Sequence, residues 1–387
     1  METYDVIIVG AGPAGISTAL HLRRFAPHLV PRTLVLEKAR HPRWKPCAGG
    51  VLPDGVDVLR NLGLEITEVP HTRAVYAYFE FDGRGMAVRP KNEPLAFYVI
   101  LREEFDAWLA EKARERDLAV LEETPVRQVM LGEDGVEVVT SDKVYRARVV
   151  VGADGAHSVV RRAIAGGKRS SYARAILVRT PAGQGASHGA EEAFFEFGCV
   201  PRNVPGYVWD FPIPSDGRPM RCWGIYDSGT LAYRTKGDLR GLLAEELERH
   251  GHRLGDYELR GGIVHHFSTR NLFSAPGVLL VGDAAGVDSL YGEGISPALG
   301  YGRIAAEAIV EAFASGDFTF QTYRARVLRS ELGRVLARRA VLARLIYRLQ
   351  LPTLQRLLWW RMGRVVDWVV QNFLVDWAKR EWAGQAD

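Results

Sequence analysis

Three glycines near the amino terminus have the spacing of a loop that binds phosphate. Gly10, Gly12 and Gly15 follow four apolar residues, Val6 to Val9, and precede a segment with helical periodicity. A buried parallel strand that runs through G-x-G-x-x-G into a helix is the dinucleotide-binding pattern. Gly10 permits the tight turn, Gly12 lets the backbone approach a pyrophosphate, and Gly15 lets helix and strand pack closely. The amides and dipole of the helix N-terminus would then hold the anion.

A carboxylate lies where such a loop needs one. A second apolar run, residues 33–36, ends in Glu37, which is 22 residues after Gly15 and could accept a hydrogen bond from a ribose 2′-hydroxyl. A free 2′-hydroxyl suits FAD or NAD, because the same carboxylate would repel a 2′-phosphate. The alternative is a structural glycine-rich turn in an ordinary βαβ unit.

A cysteine lies in an irregular loop shortly after this second strand. Cys47 follows a proline and precedes Ala48 and two glycines, which predicts a constrained loop. Nearby Arg43 and Lys45 would lower the pKa of a thiol beside them. A lone cysteine is often an inert buried residue, so both interpretations of Cys47 stay open at this point.

Three aromatic residues alternate further along the chain. Tyr207, Trp209 and Phe211 fall at i, i+2 and i+4, which on a strand places all three on one face. They could be a plain core stripe or a wall suited to a long apolar substrate. Prolines flank the stretch, and Pro212 lies within it, which favours an edge strand or a bent strand.

Four charged residues at element ends are further candidates for ligand contacts. Arg102 begins a predicted helix and could pair with a phosphate or remain a solvated charge. Asp154 could be a turn residue or a contact near a pyrophosphate. Asp283 follows a buried strand, where its carboxylate could cap a helix, accept from a ribityl hydroxyl, or do both. Glu293 could be a proton donor or a surface acid.

Length and composition are those of a folded protein of two or three domains. The chain has 387 residues, of which 47% are hydrophobic and 25% charged, with a net charge of +4. It contains no run of 18 or more uncharged apolar residues, and its first residues enter a core strand instead of a signal peptide. Its three cysteines are dispersed, which favours a reducing compartment and predicts no metal site or disulfide framework. A cytoplasmic protein is therefore expected.

The last part of the chain is basic and rich in tryptophan. Residues 324–387 contain 13 Lys and Arg against 5 Asp and Glu. Trp359, Trp360, Trp368 and Trp377 cannot share one face of a straight helix, because nine residues turn it by about 180° beyond two full turns. The segment is expected to form two helices broken near Asn372, or to be apolar most of the way round and partly buried in protein. It could be peripheral on the inner face of a membrane, or it could form a packed cap or a dimer contact.

Several of these stretches together resemble a known family. The loop at Gly10, GADGAHSVVRR at 152–162, and GVLLVGDAAG with GEGISPAL at 277–299 look like the three fingerprints of FAD-dependent oxidoreductases of the para-hydroxybenzoate hydroxylase fold. Within that superfamily, KPCAGG at 45–50 and YVWDFP at 207–212 resemble two motifs of the geranylgeranyl reductase family. These are its flavin-side cysteine loop and its substrate-cavity motif.

The resemblance implies FAD as the cofactor and gives the candidate residues specific roles. The expected catalytic residues are Cys47, Tyr207 and Glu293. The expected substrate contacts are Tyr207, Trp209, Phe211 and Pro212. The residues expected to bind FAD are Gly10, Gly12, Pro13, Ala14, Gly15, Glu37, Lys38, Cys47, Ala48, Gly49, Arg102, Asp154, Gly155, Gly282, Asp283, Gly292, Gly294 and Ile295.

The expected architecture is α/β. It consists of a Rossmann-like FAD-binding domain with an inserted antiparallel β-sheet substrate domain and a C-terminal helical region. The FAD-binding domain is discontinuous and comprises residues 1–73, 98–170 and 268–320. The substrate domain comprises residues 74–97 and 171–267, and the helical region residues 321–387.

The resemblance also implies a reaction. The protein would saturate C=C bonds of a geranylgeranyl-type chain, on a prenyl lipid or a prenyl diphosphate, by hydride transfer from flavin N5 and protonation of the other carbon. No second dinucleotide loop is visible, so NAD(P)H would dock transiently or a ferredoxin-like donor would supply the electrons. One alternative is a flavin monooxygenase or halogenase; another is an electron-transfer flavoprotein that reduces a quinone. No nucleic-acid partner is expected.

Overall fold

The computed structural model describes residues 1–91, 93–166, 171–183, 189–231 and 237–383. The predicted domain boundary at residue 170 lies outside these ranges. The strands, in chain order, are β1 (Glu2–Val9), β2 (Thr33–Leu36), β3 (Gly50–Val51), β4 (His71–Ala74), β5 (Tyr76–Phe81), β6 (Arg84–Val88), β7 (Phe97–Ile100), β8 (Ala119–Leu121), β9 (Val126–Gly132), β10 (Gly135–Thr140), β11 (Val144–Gly152), β12 (Tyr172–Pro181), β13 (Glu192–Glu196), β14 (Gly206–Ile213), β15 (Met220–Asp227), β16 (Arg260–His265), β17 (Ser274–Ala275) and β18 (Val278–Leu280). The α-helices are α1 (Pro13–Phe25), α2 (Pro53–Asn61), α3 (Arg102–Arg114), α4 (Val159–Ile164), α5 (Leu239–Arg249), α6 (Ile295–Ser315), α7 (Tyr323–Arg329), α8 (Glu331–Ile346), α9 (Pro352–Arg356), α10 (Gly363–Val369) and α11 (Trp377–Ala383).

The first sheet forms around the amino-terminal strand. Its order is β17-β18-β11-β1-β2-β8, with the hairpin β9–β10 attached to β11. β1 lies parallel to β11 and β2. Residues Val6 to Val9 and all of β2 are buried, as expected of parallel strands covered on both faces. The α/β fold with a Rossmann-like nucleotide layer, expected from the sequence, is confirmed.

Helices α1 and α6 pack closely behind this sheet. The Ser17 hydroxyl donates to the Leu299 carbonyl over 2.6 Å. A side chain at Gly302 would overlap Ser17, so this glycine sets the close approach of the two helices. The N-terminus of α1 is thereby fixed relative to that of α6, although the two helices are almost 300 residues apart in the chain.

The second sheet has the order β16-β12-β15-β14-β13-β5-β6. Neighbouring strands are antiparallel except for the parallel pair β13 and β5. β5 and β6 form a hairpin that turns at Asp82 and Gly83, both of which have positive φ. The three-stranded sheet β3-β7-β4 lies in the segments that connect the two larger sheets.

Of the two predictions for the Tyr207 stretch, an edge strand or a bent strand, the edge strand is wrong. It forms β14, which lies between β13 and β15 and is buried over its whole length. Pro212 is tolerated there because β13 pairs only with Val208 to Asp210, so the ladder on that side ends before the proline. Beside the proline, where this pairing has ended, the side chain of Arg221 donates to the Glu192 carbonyl over 2.9 Å.

The C-terminal helices pack on the second sheet and on α6 with their inner side. Trp359 stacks on Phe197 at a centroid distance of 4.2 Å, and Trp377 is buried against Gly300 of α6. The helical path breaks at Val375 and Asp376, three residues after the predicted position, where Asp376 takes a φ of 63°. Two π-helical turns, Leu357–Arg361 and Val370–Leu374, precede the break. Within the described ranges, no helix is long and apolar enough to cross a bilayer.

Candidate active site

The glycine loop forms a cradle with one open position. At Gly10, where φ is 107°, a Cβ would overlap the Ala153 carbonyl, and at Gly15 it would overlap the Gly10 carbonyl. At Gly12 a Cβ would meet only the Nη2 atoms of Arg43 and Arg102, at 3.8 and 4.0 Å. The space in front of Gly12 and the helix N-terminus is therefore available for a ligand.

Glu37 holds this loop in place by accepting hydrogen bonds from backbone amides. Its Oε2 atom accepts from the Ala11 amide over 2.9 Å and its Oε1 atom from the Ala39 amide over 3.2 Å. The carboxylate is buried, and the Nε atom of Arg43 lies 3.3 Å from it. A bracing role for Glu37 is compatible with the predicted ribose contact, which stays a prediction. Lys38, beside it, is exposed.

Cationic side chains gather above the cradle. Arg102 is buried and donates two hydrogen bonds of 2.8 Å to Asp106, so its interpretation as a solvated charge is wrong. Arg43 reaches the same carboxylate over 3.1 Å. Burial and the Arg102 charge lower the pKa of Lys45, which has no carboxylate within ion-pair distance in the described ranges. Arg43 was not among the residues predicted to bind a ligand, although a basic residue so soon after Glu37 indicates one.

Asp154 has one satisfied and one unsatisfied oxygen. Its Oδ2 atom accepts from the Val159 amide over 2.6 Å at the start of α4. Its Oδ1 atom is buried with no hydrogen-bond partner among the described residues, and burial raises the pKa of the carboxyl. The turn interpretation accounts for the first oxygen only. A hydroxyl or amide of a ligand would satisfy the second.

The loop before α6 comes close to the end of β18. Asp283 lies in a turn after that strand. A Cβ atom added at Gly294 would lie 3.4 Å from the Oδ1 atom of Asp283. Gly282 and Gly292 both have positive φ, at 56° and 64°. Asp283 does not cap α6; Glu293 does, because its Oε1 atom accepts from the Ser296 amide over 2.9 Å.

An apolar cavity of about 220 Å³ lies between the second sheet and the C-terminal helices. One end is formed by residues 45–50 and by residues 291–295, which adjoin the nucleotide layer. Tyr207, Trp209 and Phe211 line one wall, as the alternating pattern predicts. Pro212 does not line the cavity, because even-numbered side chains of β14 point to the opposite face. Its assignment as a substrate contact stays a prediction.

Comparison with known proteins identifies the chain's family. A model of the FAD binding domain matches residues 3–180. A digeranylgeranylglycerophospholipid reductase of Methanopyrus kandleri is 31% identical over 343 residues, which are 81% of this chain and 78% of that protein. A second enzyme of that name, from Thermoplasma acidophilum, is 28% identical over 83% of this chain and 81% of its own. The chain belongs to the geranylgeranyl reductase family of FAD-dependent oxidoreductases.

Solved structures show the same fold. A geranylgeranyl bacteriochlorophyll reductase-like protein from Thermoplasma acidophilum superposes with a TM-score of 0.77 at 23% identity, over 99% of this chain and 96% of that one. The halogenase PltM gives 0.71 at 16% identity, over 99% and 84%. At these identities the likeness concerns the fold alone.

The residues at the cradle fit FAD. The open position at Gly12, the unsatisfied Oδ1 atom of Asp154 and the cations above α1 suit a pyrophosphate and its neighbouring hydroxyls. Gly49 and Ala48 face the same cleft from the cavity side. The individual contacts assigned from the sequence stay predictions.

A Gly12→Ala variant tests this fit. Its Cβ would make only ordinary contacts in the folded chain, so we expect a near-normal midpoint of thermal unfolding. It would occupy the phosphate space, so we expect FAD retention to fall by at least about tenfold, since hydrogen bonds to charged groups contribute about 1.5–3 kcal/mol. Flavin content and unfolding are measured on the same preparation. Gly15→Ala is the contrast, because its Cβ overlaps backbone and should impair folding; normal FAD retention by Gly12→Ala would contradict the cradle.

Three tyrosines hold the loop beside the cavity. The hydroxyls of Tyr226, Tyr347 and Tyr207 donate to the carbonyls of Ser289, Leu290 and Tyr291, one after another. Burial raises the pKa of all three phenols well above the ordinary value, which keeps these donors protonated. Of the three, the sequence indicated a function only for Tyr207, as a catalytic residue and substrate contact and not as a support of this loop.

Arg339 of α8 joins the same loop from the C-terminal region. Its Nη1 atom lies 3.2 Å from Asp288 and 3.2 Å from Glu293, and its Nη2 atom donates to the Leu374 carbonyl over 2.6 Å. The interpretation of Glu293 as a surface acid is therefore wrong. Burial raises the pKa of Glu293, and the Arg339 charge opposes this shift.

Proposed function

We propose that this protein saturates C=C bonds of a prenyl chain carried by a glycerol-based lipid. The observation that carries the proposal is the position of the cavity, whose polar end adjoins the FAD-binding cleft while its walls are aromatic and aliphatic. The relatives named digeranylgeranylglycerophospholipid reductases support the lipid class. A prenyl diphosphate remains the alternative substrate.

The cavity walls exclude water and orient the chain. Bound reduced FAD supplies the hydride. A trisubstituted alkene accepts a hydride poorly unless a proton reaches the other carbon in the same step, so the site needs a dry cavity and one acid. Phe195, Phe97 and Phe211 contact one another at centroid distances of 5.1 to 6.3 Å and form a continuous apolar wall.

We assign the proton to Cys47 in preference to the other two candidates. The Tyr207 proton is donated to the Tyr291 carbonyl. Both Glu293 oxygens accept hydrogen bonds, one from the Ser296 amide and one from Arg339. The Cys47 sulfur accepts from the Gly49 amide over 3.3 Å, and no described residue accepts from its S–H group. The thiol is left to donate into the cavity that it lines.

A Cys47→Ser variant is expected to keep its FAD and its unfolding midpoint but to lose turnover. General acids contribute roughly 10²- to 10⁴-fold, and a serine hydroxyl is a far weaker acid than a thiol. Single-turnover rates with pre-reduced protein separate this step from reduction by an external donor. Cys222→Ser, in buried β15, is the matched control and should react at the normal rate. Normal turnover by Cys47→Ser would transfer the role to Tyr207, Glu293 or water.

The overall reaction is tested without oxygen. Holoprotein reduced with dithionite is incubated with geranylgeranyl glycerophospholipids and with geranylgeranyl diphosphate, and products are weighed by mass spectrometry. We expect a gain of two hydrogens per reduced bond and one oxidised FAD for each. Product that appears only with O₂ or with halide and O₂ would favour the monooxygenase or halogenase alternative. Reduction of a quinone without alkene reduction would favour the electron-transfer alternative.

We further propose an external electron donor that docks only transiently, either NAD(P)H or a ferredoxin-like protein. The sequence has one dinucleotide loop, at Gly10 to Gly15, which supports a donor without a binding site of its own. Stopped-flow reduction of the bound flavin by each donor distinguishes the two.

A further inference from the structure

We propose that the outer side of the C-terminal helices docks on an anionic lipid bilayer. This surface, the basic-apolar face, combines exposed arginines with exposed large apolar side chains. Around α8 its members are Arg338, Val341, Arg344, Leu345 and Arg348. Around α10 they are Arg361, Arg364, Val365 and Trp368, and Phe373 follows α10 in the chain.

The exposure of these apolar side chains is unusual for the chain. Trp368 is 57% exposed, Val341 56% and Leu345 55%, although Trp359 and Trp377 in the same region are almost completely buried. The C-terminal region therefore has a packed inner side and an unpacked outer side. The inner side therefore fits the packed cap, one of the alternatives left by the tryptophan spacing, and the outer side still presents apolar residues to solvent.

The exposed residues form one continuous surface. On α8, Arg338, Val341 and Leu345 fall at helical spacing on a single stripe, and Arg348 follows in the turn after the helix. The Arg338 guanidinium lies 5.6 Å from the Phe373 ring, and Phe373 contacts Trp368 at a centroid distance of 5.3 Å. Phe373 thus joins the stripe on α8 to that on α10.

Charge on this surface has one sign. Residues 332–373 contain eight arginines and one aspartate. In the described part of the chain, Arg344, Arg348, Arg361 and Arg364 have no carboxylate within ion-pair distance. These guanidinium groups remain free to pair with lipid phosphates, and each basic residue beside an anionic bilayer strengthens binding roughly fivefold.

A bilayer suits this surface better than another macromolecule. Two copies of the chain would bring two positive surfaces together, which opposes self-association. Nucleic acid would match the charge but not the valine, leucine and tryptophan side chains. Helices with a basic, tryptophan-bearing outer side lie in the interface, with their apolar side chains among the headgroups.

The inner side of the same segment reaches the cavity. Val370, Leu374 and Val375 line it, while Trp368 and Phe373, a few residues away, face outward. A lipid chain would therefore cross one layer of helix between bilayer and cavity. Docking itself follows from the surface alone; only this delivery of the prenyl chain rests on the proposed function.

Liposome co-sedimentation of the FAD-loaded full chain tests the docking. We expect binding to vesicles of phosphatidylcholine with 30% phosphatidylglycerol in low salt, release by high salt, and little binding to pure phosphatidylcholine. Arg361→Gln with Arg364→Gln should weaken binding roughly 30-fold, the square of the effect of one basic residue. Trp368→Ser should weaken binding to the vesicles without changing how that binding depends on salt concentration.

A matched double variant, Arg218→Gln with Arg240→Gln, removes the same charge from the β14–β15 turn and α5 and should bind normally. An equal loss of binding in this control would overturn the proposal, and so would binding that does not depend on lipid charge. A concentration-dependent dimer that persists when vesicles are added would also overturn it. Alkene reduction in detergent micelles is measured in parallel. Docking without reduction would refute the proposed function only, and reduction without docking would refute only the bilayer surface.

Discussion

An Arg339→Met variant is expected to lose about 3–5 kcal/mol of unfolding free energy, the usual cost of removing one partner from a buried ion pair. Asp288 is fully buried and Glu293 nearly so, and Arg339 is the guanidinium that both carboxylates contact. Its removal also leaves the Leu374 carbonyl without its donor. Denaturant unfolding of the holoprotein, followed by circular dichroism, measures the loss.

Two further variants separate charge from packing. Arg344→Met, one turn further along α8 and exposed, should change stability by less than about 0.5 kcal/mol. Adding Asp288→Asn to Arg339→Met should recover part of the loss, because the double variant no longer buries an unpaired Asp288 charge. A loss of under about 1 kcal/mol in the single variant would mean that Arg339 does not hold the two carboxylates together.

The features found from sequence are those that local chemistry determines. The strand and glycine loop at Val6 to Gly15 are specified by adjacent residues, because the turn, the pyrophosphate approach and the helix start each need glycine at a fixed place. The wall of Tyr207, Trp209 and Phe211 follows from the two-residue period of a strand. The same period places the side chain of Pro212 on the opposite face of β14 from this wall.

Features that depend on distant parts of the chain were missed. Arg339 could have been found, because it occupies the apolar stripe of α8 with Leu332, Val335, Leu336 and Ala343. A charged residue on such a stripe must have a buried partner. Nothing in the sequence indicates which carboxylates those partners are, since Asp288 and Glu293 lie about 50 residues earlier.

The central position of β14 was missed for a similar reason. Proline is expected at an edge, and Pro212 is locally at one, because the pairing of β13 with β14 stops at Asp210. The extent of this pairing is set by tertiary packing and not by the residues of β14. The role of the C-terminal region was ambiguous for a comparable reason, because tryptophans on all sides of a helix fit both a packed cap and a surface that binds a membrane.

An Ala77→Phe variant is expected to abolish prenyl reduction while leaving the flavin in place. Ala77 lies on β5 with its side chain in the cavity, beside Phe79 and away from the glycine cradle. The added ring would take space that the substrate needs in a cavity of about 220 Å³. Because a single misplaced methylene in an apolar pocket already costs up to roughly a hundredfold in kcat/KM, a whole ring should cost at least that much.

The measurement is kcat/KM for alkene reduction, together with FAD content and the rate of dithionite reduction of the bound flavin, which should both stay normal. Ala87→Phe is the matched control, because Ala87 on the adjacent strand β6 is exposed and the same ring would point to solvent. If Ala77→Phe retained activity, the prenyl chain would have to bind outside this cavity, and the aromatic wall of β14 would be a core stripe. If both variants lost activity, the effect would come from distortion of the β5–β6 hairpin. Loss in Ala77→Phe alone, with normal flavin reduction, would mean that the cavity holds the reacting chain, because only the space for substrate differs between the two proteins.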